Sequence, residues 1–362
     1  MRILILSANT GGGHNSTAKA LAEQMEKLKI EYEIADTLAF ISEKVSDLIS
    51  RGHSYVYRRL PRLFGIGYRY EESHSVRFLY NQCAKGVDAL WEKLNSQSFD
   101  AVLCAHVFAG LMMTELRSRY GGEIPCYFLA TDYTCSPGVS EMRLDGYFIP
   151  HRMLLGEFTH SGVPADRLIV TGIPVGSVFY ERGSKEDARR VLGLPQDQRI
   201  VLLCCGSMGC GNLERSARRM LGKMPPDSCL VVVCGRNEKA YEALKPYESQ
   251  RFAVLPFVEN ITDYMTAADL YVTKPGGLTT TEAIAKGLPM ILVDTVGGCE
   301  TRNYRFLIDR GVAKGAKNWR QANGVLKKAL QEDWRWGNAP DFCEGNAADA
   351  VCQYLLRSLK AK

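Results

Sequence analysis

The chain has 362 residues, 46% of them hydrophobic and 23% charged, with a formal net charge of +5. That length predicts two domains of ordinary size, and so balanced a composition excludes a disordered or collagen-like chain. No apolar run reaches the ~18 residues that a spanning helix needs, and the N-terminal run is too short for a signal peptide, so the expected location is the cytoplasm.

In chain order, the first half alternates strand and helix signals. The apolar run RILILSA ends at TGGGH, and STAKALAEQMEKLK carries apolar residues at helical spacing. YEIADTL is a second strand candidate, a helical stretch runs from Ser75 to about Leu94, and FDAVLCAHV, PCYFLAT, GYFIP and RLIVTGIP supply further strands. The pattern restarts after PVGSVFYERGSKED. KEDARRVLGL reads as a helix, RIVLLCCGS as a strand running into a glycine-rich loop, LERSARRMLGKM as a helix, and CLVVVCG, FAVLPFV, DLYVTK and PMILVD as strands. Such alternation predicts an α/β protein with parallel sheets covered by helices. The domains are placed at 1–176 and 185–340, with 341–362 a helical tail able to return to the first. Two similar α/β halves facing each other predict a ligand cleft between them.

Twelve cysteines raise the question of disulfides or a metal. Cys104, Cys126, Cys204, Cys205, Cys229 and Cys234 fall in or beside apolar strand candidates and no C-x-x-C occurs, so buried reduced thiols are expected. The segment 51–70, RGHSYVYRRLPRLFGIGYRY, interrupts the alternation with Arg51, Arg58, Arg59, Arg62 and Arg69 among aromatics and without an acid.

Three segments carry chemistry. In Thr10-Gly11-Gly12-Gly13-His14 the glycines permit positive φ and close backbone approach at the ligand edge of a parallel sheet. The loop lacks the third glycine of the dinucleotide fingerprint and the lysine of a P-loop. His14, at a helix start whose positive end disfavours imidazolium, is suited to accept a proton from a hydroxyl; equally, it is a loop histidine that only caps the helix. Gly206-Ser207-Met208-Gly209 follows a strand, and its N–H groups can hold an anion such as a diphosphate, although a plain strand–helix turn has the same pattern. Lys274-Pro-Gly276-Gly277-Leu-Thr279-Thr280-Thr281-Glu282 is the strongest: a strand, a glycine turn, threonines placed to cap a helix, and Gly287 with Pro289 to end it. Glu282, expected in about the first turn, suits the paired hydroxyls of a ribose or simply complements the helix dipole. The block Gly297 to Asn303 adds a further glycine turn with polar groups.

These residues resemble a known family. The GGGH loop, ATDYT at 130–134, VTGIPV at 170–175, CGRNEK at 234–239 and above all KPGGLTTTEAIAKGLP are similar to the monogalactosyldiacylglycerol synthases of plastids and the bacterial diacylglycerol glucosyltransferases. These are glycosyltransferases of family 28, which also includes the bacterial enzyme that adds GlcNAc to lipid I. The resemblance implies a GT-B fold, a UDP-hexose donor in the second domain, a diacylglycerol-type acceptor at the first, inversion at the sugar, and neither cofactor nor catalytic metal. No D-x-D motif occurs. It implies that His14 is the general base and that Glu282 binds ribose. Glu300 and Asn303 then lie near the donor sugar, Gly209 and its neighbours near the diphosphate, and Phe257 and Val258 near uracil. Asp132 joins His14 as a catalytic candidate. Gly12, Gly13, His106 and Tyr133 are candidates for the acceptor side; His106 reads equally as a satisfied core histidine.

Two positions depart from the pattern. Cys135 and Val139 stand where many relatives have histidine and tryptophan, and Gly176-Ser177 where many have an arginine near the diphosphate, which leaves helix N-termini, Lys274 or Arg236 to neutralise it. The arginine-rich 51–70 segment fits docking on an anionic membrane surface, at the inner face of the cell membrane, or a solvated loop. No nucleic-acid motif accompanies it. A polyprenyl-linked acceptor, a UDP-sugar epimerase of GT-B fold and a non-catalytic UDP-sugar-binding protein remain alternatives.

Overall fold

The computed structural model describes residues 1–9, 12–44, 77–209, 212–293, 297–332, 342 and 345–360. The membrane-docking candidates Arg51, Arg58, Arg59, Arg62 and Arg69 lie outside these residues, as do Thr10, Gly11, Cys210 and Gly211. The described residues divide into two units. One runs to Ser177 and resumes at Gly345; the other begins at Val178.

Unit 1 is a six-stranded sheet in the order β2-β1-β3-β4-β5-β6. Its strands are β1 (Arg2–Ser7), β2 (Glu31–Asp36), β3 (Ala101–Cys104), β4 (Cys126–Leu129), β5 (Gly146–Ile149) and β6 (Leu168–Val170), and every pairing is parallel. A parallel sheet covered on both faces needs strands that are apolar on both sides. Ile3, Leu4, Ile5 and Leu6 of β1 are fully buried, whereas the edge strand β2 alternates with Glu31 and Glu33 and stays half exposed. The helix α1 (Gly12–Lys27) follows β1. The C-terminal helix Ala347–Lys360 completes this core, placing Ala348, Val351, Cys352 and Leu355 in one cluster with Ile3, Ile5, Leu21 and Met25. Each such fully buried aliphatic side chain contributes about 1.5–3 kcal/mol.

The places where the chain leaves and re-enters unit 1 are both fastened to α1. Glu23 accepts from the Ser177 backbone N–H at 3.2 Å and from its hydroxyl, and Lys27 donates to the same hydroxyl at 2.9 Å. Gln24 donates to Asp349 at 2.7 Å, and a Cβ on Gly172 would lie 3.2 Å from that of Ala347.

Unit 2 repeats the scheme in the order β12-β11-β10-β7-β8-β9, again all parallel. The strands are β7 (Arg199–Cys204), β8 (Ser228–Val233), β9 (Phe252–Leu255), β10 (Leu270–Thr273), β11 (Met290–Val293) and β12 (Lys314–Ala316). The runs of β7, β8, β10 and β11 are buried throughout except at Arg199. The short edge strand β12 was not expected, because Lys314-Gly315-Ala316 has neither an apolar run nor β-branched residues. The stretch expected to be helical from Ser75 is described as two helices, Arg77–Cys83 and Val87–Ser96, joined by a tight turn. The six cysteines expected to be buried thiols are buried and unbridged.

Candidate active site

In an open parallel sheet, ligand-binding residues collect where neighbouring strands send their loops in opposite directions from one edge. In unit 1 that point lies between β1 and β3. There the first turn of α1 brings His14 to Ala105, the residue after β3: the imidazole Nδ1 is 2.9 Å from the Ala105 carbonyl oxygen. A carbonyl only accepts, so Nδ1 carries the proton and Nε2 of the neutral ring keeps its lone pair. Thr131 Oγ1, just past β4, lies 3.2 Å from the same Nδ1.

His106 has the opposite polarity. It caps the helix Val107–Tyr120, its Nδ1 accepting from the Phe108 N–H at 3.1 Å, which leaves the neutral ring's proton on Nε2. The two imidazoles meet edge to face with centroids 4.5 Å apart. His106 is therefore both a capping residue and part of the His14 surroundings. Burial holds His14 below the ordinary histidine range, against the opposing pull of the Asp132 carboxylate and the Ala105 carbonyl. Desolvation, rather than the helix N-terminus expected from the sequence, is thus the larger cause of the depression.

The loop that carries Asp132 is fastened from beneath. Glu157 accepts from the Thr134 hydroxyl at 2.5 Å and from the Cys135 N–H at 2.9 Å. Cys135 and Val139, the two departures from the family pattern, are buried in this loop, and so is Tyr133. Gly12 and Gly13 differ from expectation. Both are helical, neither has positive φ, and a Cβ on Gly13 would meet nothing within 4 Å. The helix starts at Gly12, so the glycines leave open space above its first turn.

In unit 2 the equivalent point lies between β7 and β10. The turn Gly206–Gly209 leaves β7 and Lys274–Gly277 leaves β10. The first turn interlocks with the loop after β8: Arg236 N–H donates to Ser207 O and Asn237 Nδ2 to Gly209 O, both at 2.8 Å. A Cβ on Gly209 would collide with the Cys234 carbonyl, and one on Gly235 with that of Ser207, so both positions require glycine. Phe257, in the loop after β9 beside Val258, is exposed, and the Arg236 guanidinium lies 5.5 Å from its ring centre.

Lys274 occupies the meeting of the two turns. Its Nζ is 2.5 Å from Glu300 Oε1, and a Cβ built on Gly276 would lie 3.0 Å from that nitrogen. The helix Gly277–Lys286 has Gly276 as its N-cap, without a side-chain cap. The threonines do not cap it, contrary to expectation. Thr280 Oγ1 donates back to the Gly276 carbonyl at 2.8 Å and Thr281 Oγ1 to the Gly277 carbonyl at 2.7 Å, the intrahelical bond open to a hydroxyl one turn in. Thr280 is buried and Thr279 half-buried. Gly287, in the left-handed region, ends the helix as expected. Glu282 lies in the second turn rather than the first, and burial alone pushes its carboxyl up to about 8. Asn303 is fully buried and donates to the Pro275 carbonyl at 3.0 Å, bracing the glycine turn from behind. Among the described residues no group of three or more His, Cys, Asp and Glu side chains is placed to hold a metal ion. Nor is any described helix long and apolar enough to cross a membrane.

Comparison with known proteins bears on both units. Residues 14–175 match the family model of monogalactosyldiacylglycerol (MGDG) synthase, and residues 200–300 match the glycosyltransferase family 28 C-terminal domain. Among curated proteins the chain is 28% identical to the processive diacylglycerol beta-glucosyltransferase of Bacillus licheniformis, over 86% of this chain and 82% of that one. It is 24% identical to the protein of the same name from Staphylococcus carnosus, over 92% and 85%. Among solved structures, MurG of Acinetobacter baumannii superposes with a TM-score of 0.62 at 16% identity, covering 100% of this chain and 99% of that one. Anabaena Alr3699/HepE in complex with UDP-glucose superposes at 0.58 and 16%, covering 100% of both. The two parallel six-stranded units and these likenesses identify the fold as GT-B.

Proposed function

We propose that this chain, which belongs to the family 28 glycosyltransferases, moves a hexose from a UDP-hexose to the hydroxyl of diacylglycerol at a membrane surface, with inversion at the sugar. The observation that carries the reading is the His14 tautomer: a half-buried imidazole, its Nδ1 proton engaged by the Ala105 carbonyl, presents Nε2 as a base. Burial keeps that base unprotonated at neutral pH. His14 removes the acceptor hydroxyl proton as the oxygen attacks C1 from the face opposite UDP. Asp132 supplies a negative field that steadies the imidazolium formed in that step, and the open space over Gly13 admits the acceptor.

The donor belongs to unit 2. Glu282 takes the ribose hydroxyls, the loop holding Phe257 and Val258 takes the uracil, and the turns at 206–209 and 276–277 point N–H groups at the diphosphate. Preorganised donors of this kind, aimed where charge develops, often contribute more to catalysis than any other single effect. Neither a cofactor nor a metal has a part in this scheme, and EDTA is expected to leave transfer intact. The arginines of 51–70 are assigned to the anionic membrane surface at the inner face of the cell membrane, each contributing about 1 kcal/mol near it.

The test is incubation of the purified protein with liposomes containing diacylglycerol and an anionic lipid, with UDP-glucose or UDP-galactose, followed by mass spectrometry of the lipids. A hexosyl-diacylglycerol is the expected product, and the better donor names the hexose. Transfer only to a polyprenyl lipid, or release of an epimerised sugar without acceptor, overturns the reading. Replacing the five arginines with glutamine is expected to abolish flotation with anionic liposomes; unchanged flotation removes that segment from the membrane role.

A further inference from the structure

We propose that the Lys274–Glu300 ion pair is exchanged when the donor binds: the diphosphate takes the Lys274 ammonium, and the released Glu300 carboxylate accepts from a hexose hydroxyl. The inference rests on the donor reading above and gives that site an internal order. Lys274 leaves β10 where the sheet's strand order reverses, and a Cβ on Gly206 would lie 3.2 Å from its Cε and one on Gly276 3.0 Å from its Nζ. The ammonium therefore lies against both glycine turns, where a methyl group on either would crowd it. Glu300, in the first turn of the helix Cys299–Asp309, reaches the same place, its Oε1 3.7 Å from the Cβ position of Gly276. The two side chains are only 13% and 6% exposed.

A buried pair of this kind returns little net folding energy, because its attraction is offset by the water both charges gave up. Its charges are nevertheless held ready for a ligand that makes better use of them. A diphosphate carries more negative charge than one carboxylate and also accepts from the turn N–H groups. It competes for the ammonium, and one ammonium cannot neutralise both anions. With UDP alone, Glu300 is left beside a second anion. With UDP-hexose, the sugar supplies hydroxyl donors to the displaced carboxylate. The diphosphate and the hexose thus assist each other's binding through one pair of side chains.

The test is calorimetric titration of uridine, UDP, UDP-glucose and UDP-galactose into wild type, K274Q and E300Q, with thermal melting of each variant. K274Q is expected to weaken UDP by about tenfold, the worth of a lost charge-assisted bond, and to leave uridine within about twofold. E300Q is expected to act in the opposite sense on UDP, tightening it by about threefold or more because Lys274 is no longer pre-engaged, and to erase the preference for UDP-hexose over UDP. A purely structural pair would weaken uridine and UDP together in both variants, and that result overturns the exchange. If K274Q does not fold, the sign of the E300Q effect on UDP decides alone: tighter supports the exchange, unchanged or weaker overturns it. A wild-type protein that binds neither uridine nor UDP overturns the donor reading itself.

Discussion

The two sheets reverse their strand order in the same way, yet the two reversal points are furnished differently. Between β1 and β3 stand titratable rings: His14 and His106, of opposite tautomer, with a carboxylate on the next loop. Between β7 and β10 stand backbone turns around one buried ammonium. One scaffold thus offers two kinds of chemistry at its ligand edge. The ring site holds a proton acceptor whose tautomer is set by a carbonyl. The turn site holds an anion through groups that do not titrate near neutral pH. Glycine also has two jobs. At Gly209 a side chain would collide with the protein; at Gly13 it would meet nothing.

The contrast is tested most severely at His14. His14→Ala is expected to lower kcat by roughly 10²–10⁴-fold while UDP affinity in calorimetry stays at the wild-type value. The wild-type kcat profile should keep its acid limb below the usual histidine range, since His14 is depressed and must be neutral to act. Near-normal turnover in the variant would take the base role from this ring.

The glycines separate the two sites in a different way. Gly209→Ala is expected to cost about 2–5 kcal/mol from collision and left-handed backbone strain together, read as a lowered melting temperature and lost UDP binding. Gly13→Ala should instead raise helix stability by about 1 kcal/mol and lower transfer, because its methyl occupies the approach to His14. A Gly13 variant that is more stable and fully active would empty that space of meaning.

Glu282→Gln is expected to weaken UDP by about tenfold, the value of hydrogen bonds to a charged acceptor. Because the unliganded carboxyl titrates at about 8 and hydroxyl donors favour its ionised form, wild-type UDP affinity should rise with pH until about 8 and flatten in the variant. The folded-state value exceeds the ordinary 4.5, so wild-type stability should fall as pH rises from 4.5 toward 8, and the variant should lose that fall in melting experiments. The smallest change is expected from Thr131→Val, about threefold in kcat, since it removes one neutral contact at the His14 ring. A Thr131 effect as large as that of His14 would mean that the tautomer is set by the hydroxyl rather than the carbonyl.

Much of this was legible in the sequence. Runs such as RILILS and RIVLLC are continuous and apolar because their strands are buried on both faces, and glycine turns mark where they stop. KGA at 314–316 carries no strand signal because an edge strand needs no such run. His14 was conspicuous in its glycine loop, but its partner was not: a backbone carbonyl 91 residues away has no identity in a sequence. The threonines of the 276–282 turn fit a capping pattern, yet the helix began earlier than expected and their hydroxyls turned back to its carbonyls. Glu157 gave no signal, because its task is to hold a loop that itself departs from the family pattern. Lys274 and Glu300 were each visible; the contact between side chains 26 positions apart depends on two strands lying on the same side of one sheet.

The fastening of both chain crossings to α1 has a consequence for modularity. In linear order unit 2 is an insertion, entered after Ser177 and left before Gly345, and its host keeps the two cut ends on a single helix. Gly172 and Ala347, a few residues inside those ends, are already neighbours. A short synthetic loop from Ser177 to Gly345 would therefore excise the guest and return the host as a contiguous gene product with its own sheet and both histidines. Its donor-binding guest would then be open to exchange with those of relatives without redesigning the helix that holds the base.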